Sequence, residues 1–177
     1  MIVAILLALA ALVAVVLVRT LTLKPTAAAT ATPPEADPAR AAQYAQTLSE
    51  MVKIETISSR FDPSREKFHT FQARVRQLFP HVYAACTEYN PGDGIVLHLP
   101  AAGEAKGEPI LLMSHHDVVA APPEGWSHAP FSGDIDEEGN VWGRGTVDTK
   151  GSLFCELQAL EELLASGYTF EAVYENA

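Results

Sequence analysis

The sequence predicts an α/β domain preceded by a single transmembrane helix, and three observations carry that expectation. Residues 1–18 contain no charged or strongly polar side chain. Beyond them, apolar residues recur at spacings of three and four over 39–54 and 65–78, whereas the apolar runs at 95–99 and 110–113 have the length of strands. The run Ile110-Leu111-Leu112-Met113 ends in the polar cluster SHHDVV (114–119), and a second cluster, GRGTVDTKG (143–151), opens a helical pattern near Lys150. Open α/β sheets present polar groups in this way, at the crevice beyond their strand ends.

Taken in order, residues 1–23 form the apolar segment. At about 1.5 Å per residue, a helix over 1–18 spans roughly 27 Å, close to the hydrocarbon thickness of a bilayer. Leu21 and Leu23 extend it. A cleaved signal peptide, leaving a secreted protein, is the rival. The absence of a basic N-terminal region and the length of the run favour a single-pass anchor. The small residues Ala27, Ala28 and Ala29 leave cleavage open. Arg19 and Lys24 on the C-terminal side place the domain in the cytoplasm by the positive-inside rule, on two charges alone.

Residues 24–38, rich in Ala, Thr and Pro, read as a linker, and the domain occupies 39–177. The first helix presents Ala42, Ala45, Leu48 and Val52, and the second Phe68, Phe71, Val75 and Leu78, with Pro80 ending it. Weak alternation over 81–89 suggests a strand. The turn signal Asn90-Pro91-Gly92-Asp93-Gly94 follows. Ile95, Leu97 and Leu99 share one face of the next strand, and His98 is expected exposed on the other. Residues 110–114 form a buried strand. The final helix carries Leu153, Leu157, Leu160 and Leu164 on its apolar face, with Cys155 as a small core residue.

The chain has 177 residues and a net charge of −10, from 12 Lys+Arg against 22 Asp+Glu. That balance argues against nucleic acid as a partner, because phosphate binding needs a basic face. Cys86 and Cys155 have no metal-type spacing and form no disulfide framework, although a single bridge between them stays open.

The chemistry resides in the two clusters. Side chains alternate along a strand, so His115 and Asp117 share a face while His116 points away. An imidazole can give a metal its neutral nitrogen, and a nearby carboxylate can accept the other ring N–H. Alone, the pair reads first as an ordinary loop hydrogen bond. In the second cluster, Gly143, Gly145 and Gly151 bracket Arg144, Asp148 and Lys150. Asp148 stands near a helix start, where a plain N-cap is the alternative role. The spacing lacks the GxxxxGK[ST] pattern of a phosphate loop. Arg144 and Lys150 are read as loop-structural, Trp126 and Trp142 as packing residues, His128 as an isolated non-ligand, and Glu161-Glu162 as part of a solvated face.

LLMSHHDVV, the GW…PFSG loop and NVWGRGTVDTKGSL together resemble the carboxypeptidase S / aminoacylase family of di-zinc metallopeptidases, over about residues 39–168 and most specifically over 111–152. The resemblance implies the N-terminal part of a zinc-peptidase-type catalytic domain, a mixed sheet with flanking helices. It also implies a smaller dimerising domain absent from this chain, so that a homodimer belongs to the full-length protein only. The implied reaction is hydrolysis of peptide or N-acyl amino acid amide bonds beside a free carboxylate, in a small peptide or N-acyl amino acid substrate. Carried across, His115 resembles a ligand of one zinc (Zn2+), Asp117 the catalytic aspartate that orients it, and Asp148 the aspartate that bridges two zinc ions. Ala120-Ala121 stand where the family has a proline soon after DVV. The family's adjacent Glu-Glu pair, general base and ligand, has no match, because Glu171 and Glu175 do not form it. The sequence therefore predicts a metallohydrolase present here as a fragment that is inactive by itself. The alternative is a non-catalytic, membrane-anchored domain that keeps the fold.

Overall fold

Two compact units, residues 1–35 and 36–177, divide the chain. The computed structural model describes residues 2–23, 37–171 and 174–176. In the first unit, α1 (Ile2–Thr22) has a mean hydropathy of 3.0 over its most apolar window and exposes its side chains. It is long and apolar enough to cross a membrane, a test that a signal sequence also passes. The linker expected at 24–38 lies outside the described residues except for its last two.

Those two residues start α2 (Pro38–Val52). The Asp37 carboxylate accepts from the N–H groups of Ala39 at 3.0 Å and Arg40 at 3.1 Å, and Pro38 takes the first helical position, where no N–H is needed. Next come α3 (Glu66–Leu78), α4 (Pro80–Ala85), β1 (Thr87–Tyr89), β2 (Val96–Leu99), β3 (Ile110–Leu112), α5 (Gly151–Ala165) and β4 (Tyr174–Asn176). The four strands form a mixed sheet in the order β1-β2-β4-β3. β1 and β4 pair antiparallel to β2, with Thr87 opposite His98 and Leu97 opposite Asn176, and β3 runs parallel to β4. Phe71 and Val75 of α3, Phe79, Val82 of α4, Leu97 and Leu99 of β2, and Leu153 and Leu157 of α5 form the core. The three-and-four spacing over 65–78 therefore marks the buried face of α3.

Four expectations change. The strand expected over 81–89 is a short helix, α4, followed by β1. Pro80 starts that helix, and Glu161, reaching over from α5, accepts from the N–H groups of His81 at 3.1 Å and Val82 at 2.9 Å. The carboxylate satisfies donors that a short helix leaves open, so Glu161 caps α4 instead of lying on a solvated face. The strand expected to be buried at 110–114 is β3, which pairs only with β4 among the described residues. Leu111 is 57% and Met113 72% exposed. An apolar run states what burial it favours, while the neighbours decide whether burial occurs. Cys155 is exposed, because the buried side of α5 is set by Leu153, Phe154, Leu157 and Leu160.

Candidate functional site

The first cluster is tied to the segment after α2. Ile57 and Val118 form a parallel bridge, in which Val118 N–H donates to the Thr56 carbonyl at 2.9 Å and Ser58 N–H to the Val118 carbonyl at 3.0 Å. The buried Thr56 hydroxyl donates to the His116 carbonyl at 2.5 Å. The second cluster packs on the same framework through its glycines. Gly145 has φ +88°, and a Cβ there would stand 2.6 Å from a Val118 methyl. A Cβ on Gly143, at φ +153°, would meet Val52 at 2.4 Å. Only glycine allows both this backbone and this approach.

Lys150 completes the anchorage. It is fully buried, and its ammonium donates to the carbonyls of Met51 at 3.0 Å and Ile54 at 2.6 Å, under the Phe71 ring. Burial pushes its pKa down to about 7. A side chain so committed holds the loop against the end of α2, as the structural reading of Lys150 expected.

These contacts bring His115 and Asp148 together. His115 Nε2 lies 3.1 Å from Asp148 Oδ1, while Nδ1 lies 3.0 Å from the Asp117 carbonyl and 3.3 Å from its Oδ1. Partial burial lowers the His115 pKa, but the Asp117 carbonyl and the Asp148 carboxylate outweigh it, and the net shift is upward. Asp148 is extended (φ −120°, ψ 89°), its peptide bond to Thr149 is cis, and its side chain is 90% exposed. α5 begins after Lys150 with no side-chain cap, so Asp148 does not act as the N-cap. His116 turns the other way, stacking on Phe71 at 5.2 Å and meeting Phe68 edge-on at 5.9 Å. Burial lowers its pKa.

The donor chemistry fits part of a metal centre. With Nδ1–H donated to Asp117, the Nε2 lone pair faces a carboxylate oxygen. Two acceptors at that separation call for a cation between them, either a proton or a metal ion. His115 and Asp148 could thus hold a metal. They are two donors only, and among the described residues no group of three or more His, Cys, Asp or Glu could hold one.

Other candidates fall elsewhere. Glu171 pairs with Lys106 at 3.0 Å. His128 is not isolated: it stacks on Trp142 at 4.6 Å and contacts Asp134 at 3.1 Å. The Arg144 guanidinium lies 5.1 Å from the centre of the Trp126 ring. His98 is half-buried, not exposed. Sequence reasoning missed Glu156, which accepts from the Ser114 hydroxyl at 2.9 Å and lines a depression with His115, Thr149 and Ser152. Its i, i+4 relation to Ser152 on α5 was the available signal. On its other side, His115 borders a cavity of about 390 Å³ between α3, α5 and β2.

Residues 111–174 match the family model described as Peptidase family M20/M25/M40. The chain is 33% identical over 129 residues to the N-fatty-acyl-amino acid synthase/hydrolase PM20D1 of Xenopus tropicalis, covering 71% of this chain and 25% of that protein. It is 30% identical over 143 residues to carboxypeptidase S of Saccharomyces cerevisiae, covering 75% and 25%. The chain thus spans about a quarter of the length of these relatives. In fold it resembles an M20 family metallo-carboxypeptidase from Sulfolobus solfataricus, with a TM-score of 0.56 at 24% identity over 75% of this chain and 29% of that one. The di-peptidase Dug1p of Saccharomyces cerevisiae gives a TM-score of 0.58 at 22% identity, over 76% and 31%. With motif, relatives and fold in agreement, the chain belongs to peptidase family M20, of whose domain it carries part.

Proposed function

We propose that the protein is a membrane-anchored, di-zinc hydrolase of peptide or N-acyl amino acid amide bonds, with His115 and Asp148 as metal ligands and Asp117 as the residue that orients His115. The observation that carries this reading is the 3.1 Å approach of His115 Nε2 to Asp148 Oδ1, made by residues 33 positions apart. The Asp117 backbone carbonyl supports it by accepting a hydrogen bond from Nδ1–H, with the Asp117 carboxylate close by at 3.3 Å, which leaves Nε2 as the ligating nitrogen. Asp148 is largely exposed, so its second oxygen is open to a second cation. Zinc bound there would lower the pKa of a bound water toward ~7 and polarise the scissile carbonyl. The chain's own part is to fix one imidazole tautomer and to hold a carboxylate against it on a glycine-shaped loop. The remaining ligands and the general-base carboxylate lie, on this reading, outside the described residues. The substrate class follows the relatives, named for N-fatty-acyl-amino acids and as a carboxypeptidase.

A second reading, a non-catalytic domain that keeps the fold, is favoured by the count of only two converging donors among the described residues. Zinc content by mass spectrometry, with hydrolysis of N-acyl amino acids and dipeptides before and after chelation, decides between them. For a protein of the relatives' full length, the expected result is bound zinc and a hydrolysis that chelation abolishes and zinc restores, whereas the 177-residue chain by itself should cleave none of these amides. A protein of that full length that takes up zinc yet cleaves none of them would support the non-catalytic reading.

A further inference from the structure

His115 stands on a stretch without regular pairing. Residues 113–117 lie outside any strand, between the end of β3 at Leu112 and the bridge residue Val118. On the C-terminal side, the Val118 bridge and the bond from the Thr56 hydroxyl to the His116 carbonyl hold this stretch. On the β3 side, the Ser114 hydroxyl donates to Glu156 Oε1 at 2.9 Å. Glu156 lies in α5 between Leu153 and Leu157, both part of the core, so it rides on a fixed element. α5 starts three residues after Asp148, and the buried Lys150 anchors that start to the end of α2. One helix thus holds both halves of the ligand pair, Asp148 through its own first turn and His115 through Glu156 and Ser114. Ser114, His115 and Glu156 border one depression.

The separation of the pair needs such a device. Two ligands of one tetrahedral zinc, each about 2.0–2.2 Å from the metal, stand about 3.3 Å apart. His115 Nε2 and Asp148 Oδ1 are 3.1 Å apart, close to that value. A site tolerates about 0.5 Å of error before its geometry is lost. Yet the two side chains are 53% and 90% exposed, so packing around them does not set the distance. The backbone anchors on either side must do so.

We propose that Glu156 is a positioning residue of the candidate metal site, holding Ser114 against α5 so that His115 meets Asp148 at ligand separation. The proposal rests on the metallohydrolase reading above and assigns that site a supporting carboxylate.

The test compares Glu156→Ala, Glu156→Gln and Ser114→Ala with the wild type, as the full chain in nanodiscs. Nuclear Overhauser contacts between the His115 ring and the Asp148 β protons report the pair without metal. They should be present in the wild type and in Glu156→Gln, whose amide oxygen still accepts from Ser114, and lost in both alanine variants. Zinc titration followed on the His115 signals should show affinity about tenfold lower in both alanine variants, the low end for loss of a group that orients a ligand. The double alanine variant should lose no more than either single one, because the two residues form one bond. Circular dichroism establishes folding. Should one alanine variant fail to fold, the other decides.

Alanine variants that lower stability yet keep the Overhauser contacts would overturn the proposal, as would a Glu156→Gln variant that loses them. Failure of both alanine variants to fold would make the bond purely structural and overturn it equally. The contacts need neither zinc nor cleavage, so the two readings fail separately. A protein whose His115 follows Glu156 but which, at the relatives' full length, hydrolyses nothing sinks the hydrolase alone. An active one whose His115 ignores Glu156 sinks the positioning role alone.

Discussion

His115 and His116 are neighbours with opposite surroundings. His115 presents Nε2 to Asp148, whereas His116 lies between Phe71 and Phe68. His115→Ala is expected to reduce zinc affinity far more than His116→Ala, as read by calorimetric titration. His116→Ala should instead lower stability, by about 1 kcal/mol through the lost ring contacts. Equal losses of zinc from both variants would refute the assignment of His115. Lys150 belongs to the same scale. Lys150→Met removes two buried hydrogen bonds and leaves the Met51 and Ile54 carbonyls without that donor. It should cost about 2–4 kcal/mol in urea denaturation. Asp136 gives a pH dependence. The Asn140 side chain and then the Trp142 indole hold its carboxyl down at about 2, from an ordinary 3.8. A depressed carboxylate stabilises above its unfolded pKa and loses that contribution as pH falls through the folded value. The difference in Tm between wild type and Asp136→Ala should therefore be constant from neutral pH to about 4, then shrink towards pH 2.

At the scale of elements, α4 depends on a residue of another helix. Glu161, whose side chain is 12% exposed, accepts from His81 and Val82 N–H and from the His81 ring. Its neighbour Glu162 instead bonds Arg40 and Tyr44 on the partly exposed side of α5. Glu161→Ala should destabilise by about 1–2 kcal/mol, as a lost cap does, and Glu161→Gln, which keeps an acceptor, by less. Chemical denaturation of the two variants tests this; equal costs would mean that charge, not acceptance, matters. β3 shows the complementary case, a strand whose pairing is made but whose apolar side chains remain largely exposed.

For the whole molecule, the proposed reading gives α1 the role of anchor and the α/β unit that of the candidate site. Intact-mass spectrometry of the membrane fraction tests the proposed anchor. The mass should include residues 1–22, and a species beginning just after the Ala27–Ala29 stretch would establish a cleaved signal instead.

The clusters, their order and the alternation that sets His115 apart from His116 were legible in the sequence, because side-chain direction along extended chain is a local property. So were α2, α3 and α5, since their apolar spacing is the helix period itself. α4 was not legible, because its cap comes from Glu161, 80 residues away from His81. Nor were the burial of Lys150, the exposure of β3, the place of Glu156, or the cavity. Each of these depends on which distant surfaces meet, and local pattern carries no record of that. The sequence by itself determined which residues can offer ligand chemistry. Only the tertiary structure decided that His115 and Asp148 face each other at 3.1 Å, because Gly145 lets the second loop close on Val118 beside the first.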